Sequence, residues 1–319
     1  MDEFELIKNY FQKLSIKSNS SLNLNDDVFF DKKKNLVISV DTYNEKNHFL
    51  DFKKPDLVIK KIIRSSISDL ICKGVYPKFY FISASGNKKK FSNSNLSKIS
   101  KSLKQEQKKY KIILSGGDTV FSNKLSFTIM SIGFSKKIIY RNKSKINDDI
   151  YVSGNLGDSY LGLLILKNKI NINNYLKKYF INKYYKPEVN LKLINIIKKY
   201  ANSSIDISDG LIADLDKMIN SQNLSYKIFL NKIPISKQLN TVINNNELSK
   251  IDYLSKGDDY QVLFTAAKSK SKIIKKISLI LGLRITKIGN IQKKTGKSIL
   301  VDSNNLEIKV KNKGYFHQF

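Results

Sequence analysis

The chain has 319 residues, 41% of them hydrophobic, enough for about two domains with real cores. One cysteine, Cys72, excludes an internal disulfide, and two histidines with one cysteine exclude the usual zinc sites. The formal charge of +30 comes from lysines spread along the whole chain among Asn and Ile, without one basic face of interleaved aromatic residues. That argues against a dedicated nucleic-acid binder but would draw in an anionic substrate such as a nucleotide.

In chain order, the acidic start Met1-Asp2-Glu3-Phe4-Glu5-Leu6 lacks the apolar stretch of a signal peptide. Phe4, Leu6, Ile7, Phe11 and Leu14 predict an amphipathic helix over 4–14. After a polar loop over 17–25, the doublet Asp26-Asp27 leads into a strand at Val28-Phe29-Phe30. Leu36-Val37-Ile38-Ser39-Val40 reads as a buried strand ending at Asp41-Thr42, with His48 seven residues beyond Asp41. Pro55 and Asp56 open a strong helix whose apolar face runs from Leu57 to Ile71, with Asp69 beside that face and Gly74 after its end. A strand over 79–84, a lysine-rich helix over 95–110 and a strand at Lys111-Ile112-Ile113-Leu114 follow. The last runs straight into Ser115-Gly116-Gly117-Asp118-Thr119, and a strand over 125–133 comes next.

A domain boundary is expected near 140–150, giving domains of 1–145 and 146–319. Past it, Ile150-Tyr151-Val152-Ser153 is a strand broken by Gly154-Asn155-Leu156-Gly157-Asp158. Helical material then reaches about residue 200, with a new helix start at Pro187-Glu188. In Ser204-Ile205-Asp206-Ile207-Ser208-Asp209-Gly210-Leu211 a strand stops and a helix begins, through Leu211, Leu215, Met218 and Ile219. Asp206 and Asp209 crowd this junction: they hold a cation, or Asp209 caps the helix while Asp206 ends the strand. Ile251-Asp252-Tyr253-Leu254, Gly257-Asp258-Asp259-Tyr260 and a strand over 261–265 precede a lysine-rich helix, a strand and a tail ending Lys313-Gly314-Tyr315-Phe316-His317. Lys and Asn interrupt every apolar run before 18 residues, so no transmembrane helix is expected and the reading is a soluble cytoplasmic protein.

Asp27, Asp41, Asp69, Asp118, Asp206 and Asp209 all fall at element ends or beside a core-facing helix face. Hard carboxylate oxygens suit Mg2+, and several converging would suit phosphoryl transfer from ATP, where catalysis is mainly positioning and charge neutralisation. Gly116-Gly117 offers bare backbone to phosphate oxygens beside Asp118, and Arg141 offers a forked, permanently charged contact. Other chemistries lack their residues. Gly296-Lys297-Ser298 has Ile291 where the first Gly of a Walker A loop belongs, and no Gly-x-Gly-x-x-Gly follows a strand. Neither His48 nor His317 lies in a nucleophile-elbow context.

Taken in order, these segments closely resemble the thiamine-monophosphate kinase family, of the superfamily that includes aminoimidazole ribonucleotide synthetase and selenophosphate synthetase. Asn25-Asp26-Asp27, Asp41-Thr42 with Asn47-His48-Phe49-Leu50, Ser68-Asp69-Leu70, Gly116-Gly117-Asp118-Thr119, 154–159, 205–211, 257–260 and Lys313-Gly314-Tyr315 carry the likeness over nearly the whole chain. The resemblance implies ATP- and Mg2+-dependent phosphorylation of thiamine monophosphate to thiamine diphosphate, by direct in-line transfer. It implies an α/β (α+β), two-domain fold of the aminoimidazole ribonucleotide synthetase type. In that fold the N-terminal sheets of a homodimer pair into a central barrel, and a C-terminal α/β domain folds over. It assigns several Mg2+ ions to Asp27, Ser39, Asp41, Asp69, Asp118, Asp206 and Asp209; ATP to Gly117, Asp118, Arg141 and Ser208; and substrate to His48, Asp258 and Tyr315. Three residues depart from the family pattern: Asn25 replaces Gly, Val40 replaces Thr or Ser, and Asp258 replaces Glu. A sibling enzyme acting on another small substrate, or a non-catalytic polyanion binder of the same fold, are the competing readings; the carboxylate set argues against the binder, since carboxylates repel phosphate without metal.

Overall fold

The computed structural model describes residues 3–245, 249–294 and 296–315, the side chain of Phe4 excepted. Phe316 and His317 of the tail therefore lie outside the described residues.

The N-terminal segment differs from the regular helix expected over 4–14. The chain is helical there, but α1 (Glu3–Leu6) runs on as a π-helix over Ile7–Phe11 and a 3-10 helix over Gln12–Ser15. Tyr10, Phe11 and Leu14 are exposed, because the segment packs chiefly on its own continuation instead of on a core.

Five strands form the first sheet: β1 (Phe29–Asp31), β2 (Leu36–Asn44), β3 (Pro77–Gly86), β4 (Ile113–Phe121) and β5 (Ser126–Phe134), in the order β1-β2-β5-β3-β4. Neighbours are antiparallel except β3 and β4, whose parallel pairing needs a crossover. That crossover contains helix α3 (Asn93–Tyr110); α2 (Pro55–Cys72) joins β2 to β3. The Gly116-Gly117-Asp118-Thr119 segment lies inside β4 rather than after it, and Asp41 lies inside β2 rather than at its end. Gly117 permits this: a Cβ there would sit 1.8 Å from the Ile82 carbonyl oxygen.

The second sheet contains β6 (Asp148–Ser153), β7 (Ser203–Asp206), β8 (Leu224–Phe229), β9 (Val262–Ala267), β10 (Ile285–Lys293) and β11 (Ile299–Val301), in the order β11-β8-β10-β6-β9-β7. Only β11 and β8 run parallel, so the mixed α and β structure takes its α+β form. Around it lie α4 (Asp158–Leu166), α5 (Asn174–Tyr185), α6 (Leu193–Tyr200), α7 (Leu211–Met218), α8 (Lys237–Asn245), α9 (Lys250–Leu254) and α10 (Ser271–Leu281). Pro187 lies in the loop between α5 and α6 instead of opening a helix. Strand β8 and helix α8 were not anticipated; Asn and Lys interrupt their apolar pattern.

Helix α2 is the hub. Fourteen of its 18 residues are buried, so it is enclosed on nearly every side. One core cluster joins its Ile59, Ile62, Ile63 and Ile67 to Phe127 and Ile129 of the first sheet and to Ile194 and Phe264 of the second half. An enclosed helix must satisfy whatever polar groups it carries, and α2 carries Lys61, Arg64, Ser65, Ser66, Ser68 and Asp69. Its C-terminal end is where the two sheets' carboxylates meet.

Candidate active site

Ser39 and Asp41 are two residues apart on β2 and so share one face, the face covered by α2. Ser39 Oγ donates to Asp69 Oδ2 at 2.9 Å. One residue earlier on α2, Ser68 Oγ donates to Asp206 Oδ2 at 2.5 Å, tying the end of β7 to the same helix. Asp27, just before β1, meets Arg141 Nη1 at 2.9 Å and Lys73 Nζ at 2.6 Å. Thus Asp27, Asp41, Asp69 and Asp206, up to 179 residues apart in sequence, are brought together at the end of α2.

Charge is poorly compensated there. Burial, then the neighbouring Asp27, pushes Asp41 up to about 7. Burial also raises Asp206 to about 8, against the hydrogen bond from Ser68 and with Asp214 adding to the rise. Asp69 is driven well above the usual carboxylate range by burial and by Asp41 and Asp206. Asp27 is the exception: burial would raise it, but Lys73 and Arg141 together hold it well below the usual value. Asp27 Oδ2 faces Lys73 Nζ, whereas the buried Asp41 Oδ2 accepts no hydrogen bond. Asp41, Asp69 and Asp206 raise one another, and a divalent cation among such hard anionic oxygens would supply the missing charge, although among the described residues no three carboxylates already stand in ligating geometry.

Asp209 sits beside this group in ion contact with Lys217, which also reaches Asp214 at 2.9 Å. The cap suggested for Asp209 belongs to Asp214, whose Oδ2 accepts from the Asp209 and Gly210 amides at 3.1 Å each. The loop before β9 is zipped to this turn: Asp258 N donates to Ser208 O and Tyr260 N to Ile207 O, both at 2.8 Å. Gly257 makes the approach possible, with φ +72° and space for a Cβ only 2.1 Å from Ser208 O. From the other side, the Tyr315 amide donates to Asp209 O at 2.9 Å, so the tail returns to the junction and leaves the Tyr315 ring half-exposed.

Asp258 pairs with the fully buried Lys61 at 2.8 Å, and the Tyr260 hydroxyl donates to it at 3.2 Å. Lys61 Nζ lies 3.8 Å from the centre of the Tyr184 ring, and the Tyr184 hydroxyl donates to His48 O at 3.5 Å. His48 and Asp258 are therefore linked through Tyr184 and Lys61. His48 Nδ1 accepts from the Asn44 amide at 3.0 Å, which assigns the proton of the neutral ring to Nε2.

Two expected site residues stand differently within one chain. Asp118 pairs in register with Ser83, Thr128 and Thr42, a row on the opposite face of the sheet from Asp41. Three strand steps separate β2 from β4, about 14 Å at the usual spacing. Its carboxylate is exposed and accepts from the Thr119 amide. Arg141 is buried, and its guanidinium grips the Asn25-Asp26-Asp27 turn: Nη1 to Asp27 Oδ1 and Nη2 to Asn25 Oδ1, both at 2.9 Å, with Nε unpartnered.

Lys61, Lys73, Asp214 and Lys217 were missed, and Asp26 and Ser68, though inside recognised motifs, were assigned no role. A lysine inside an apolar helix pattern (Lys61), or one turn after an aspartate on it (Lys73 after Asp69), was the available signal.

This topology and this pocket of unneutralised carboxylates define a protein of the AIR synthase related class, and the model of the AIR synthase related protein N-terminal domain matches residues 25–135. A thiamine-monophosphate kinase of Buchnera aphidicola from Acyrthosiphon pisum is 37% identical over 99% of this chain and 98% of its own. Another, from Buchnera aphidicola of Schizaphis graminum, is 34% identical over the same shares. The solved structure of AaThiL complexed with AMPPCP and TMP superposes with a TM-score of 0.85 at 28% identity, over 99% of this chain and 97% of that one. The chain belongs to the thiamine-monophosphate kinase family.

Proposed function

We infer that the chain transfers the γ-phosphoryl group of ATP to the phosphate of thiamine monophosphate, giving thiamine diphosphate and ADP. Family membership and the structural likeness to a protein solved with AMPPCP and TMP support the reaction. The observation that carries it is the group Asp27, Asp41, Asp69 and Asp206, whose charge is only partly neutralised and whose Asp41 Oδ2 has no donor. We assign Mg2+, as several ions, to these four with Ser39, Asp118 and Asp209. When bound, Mg2+ would neutralise the polyphosphate and hold its oxygens for in-line attack.

The chain's own residues do the rest. Ser39 and Ser68 fix the Asp69 and Asp206 carboxylates in orientation. Gly117, Asp118, Arg141 and Ser208 serve ATP, with bare backbone at Gly117 open to phosphate oxygens. His48, Asp258 and Tyr315 hold thiamine monophosphate: His48 donates from Nε2, Asp258 is positioned by Lys61 and Tyr260, and the Tyr315 ring offers a stacking face. No covalent phosphoenzyme is needed.

Residues 1–145 form the ATP- and Mg2+-binding, dimer-forming domain and 146–319 the second domain in this reading. The exposed outer side of the first sheet supports a homodimer. Val40, Phe134 and Met130 lie exposed there, and every residue of the edge strand β4 is exposed. Asp118, on that side, would act from the subunit interface. No helix among the described residues is long and apolar enough to cross a membrane, and we place the enzyme in the cytoplasm. The test is to mix purified protein with ATP, Mg2+ and thiamine monophosphate. Thiamine diphosphate and ADP in equal amounts are expected; ADP without thiamine diphosphate would point to a sibling activity, and neither product would leave a polyanion binder.

A further inference from the structure

Lys73 is the one group that departs most from a pocket built to wait for metal. Its side chain has no exposure, yet it carries a full charge into the carboxylate group. Nζ lies 2.7 Å from Asp26 Oδ1, 2.6 Å from Asp27 Oδ2 and 3.1 Å from Ser204 O. An ammonium has three N–H bonds, and three oxygens surround this one. The residue follows α2 directly, where the helix dipole favours a cation. It stands four residues after Asp69, so one helix face supplies both a carboxylate and a cation to the pocket.

We propose that the Lys73 ammonium is a resident cation that fills the position beside Asp26 and Asp27 otherwise open to a divalent ion, so that this kinase binds one metal ion fewer than its carboxylates could hold. The inference rests on the kinase reading and narrows it: Asp27 Oδ2 faces an amine, while Asp41, Asp69 and Asp206 retain the metal. Geometry separates the four carboxylates: among the described residues Asp27 alone of them is ion-paired, 2.6 Å from Lys73 Nζ and 2.9 Å from Arg141 Nη1. The fixed cation also keeps the Asn25-Asp26-Asp27 turn folded around Arg141 before any metal or nucleotide arrives.

The test counts ions. Mn2+ binding is titrated by electron paramagnetic resonance in the presence of AMPPCP for wild type, Lys73→Met and, as a control losing the same charge from an exposed site, Lys89→Met. Lys73→Met is expected to bind one more Mn2+ per chain, at least tenfold tighter than any corresponding ion in wild type, with Lys89→Met unchanged. Its melting temperature is expected to rise more with Mn2+ alone than that of wild type does. Lys73→Gln, which keeps a hydrogen-bonding head without the charge, takes the place of Lys73→Met if the latter does not fold without metal. Equal, non-zero ion counts and equal Mn2+ stabilisation overturn the inference and leave the kinase site standing. Absence of Mn2+ binding in every variant overturns both.

Discussion

Helix α2 carries two buried charged groups five residues apart, and they are built on opposite plans. Arg64 forks onto Glu106, with Nε to Oε2 at 2.8 Å and Nη2 to Oε1 at 3.0 Å, while Nη1 donates to Pro187 O at 3.2 Å. Both side chains are buried and the charges cancel. At Asp69 the helix meets three more carboxylates with too few cations to cancel them, and Asp41 Oδ2 is left without a donor. The first arrangement holds α3 and the α5–α6 loop onto α2. The second costs stability in the metal-free protein and is retained where charge must be supplied from outside. Buried charge serves the fold when it is closed, and chemistry when it is left open.

Substitutions should separate the two plans. Asp206→Asn is expected to cut turnover by about a thousandfold, equivalent to about 4 kcal/mol, while leaving metal-free stability equal or higher; steady-state rates and denaturant melts on one preparation decide this. Near-normal turnover would remove Asp206 from the reaction. Glu106→Gln should do the reverse, losing about 3 kcal/mol of stability by stranding Arg64 with turnover per folded molecule unchanged. A fall in turnover without a fall in stability would erase the distinction.

Acidity sharpens the comparison next. Asp41 and Asp206, raised to about 7 and about 8, keep protons in the folded chain that the unfolded chain releases above 3.8. Their contribution to stability is therefore complete at acid pH and is lost as pH rises through about 4 to 8. Asp27, held low, has the opposite sign: its contribution is present at neutral pH and disappears only in acid, below its unfolded value. Metal-free protein should thus weaken from mildly acid to mildly alkaline pH, and Mg2+ should restore stability most at the alkaline end. Melts across that range with and without Mg2+ would show it, and a flat metal-free profile would mean the pocket is more hydrated than its burial indicates.

The smallest effect is expected at Asp258→Glu, where the added methylene presses on Lys61. The KM for thiamine monophosphate should shift by less than about tenfold, or about 1.4 kcal/mol, with kcat nearly unchanged. A large kcat loss would place this carboxylate in the transfer step and not in substrate positioning.

Much of the architecture was legible in local pattern. The 3.6-residue stripe from Leu57 to Ile71 between Pro55 and Gly74 became α2, and the β-branched run at 36–40 became β2. The N-terminal stripe gave a helical segment but not its packing, because periodicity marks an apolar face without naming what covers it, and among the described residues nothing buries Tyr10, Phe11 and Leu14. Strand β8 was illegible for the converse reason: Ser225 and Lys227 look polar in sequence but are flanked by β10 and β11 in the sheet.

The sequence by itself determined the candidate ligands, since hard cations and phosphates require carboxylates, forked cations and bare backbone, and these stood in recognisable order. It also determined the family. Only the tertiary structure decided which aspartates meet. Strand parity turns Asp41 toward α2 and Asp118 to the outer face, and residue spacing holds no record of which strands will be neighbours. It alone showed that Arg141, read as a forked contact for the polyphosphate, and Lys73, given no role, are buried against Asp27, because the charge balance of a site is a property of all the segments that close it.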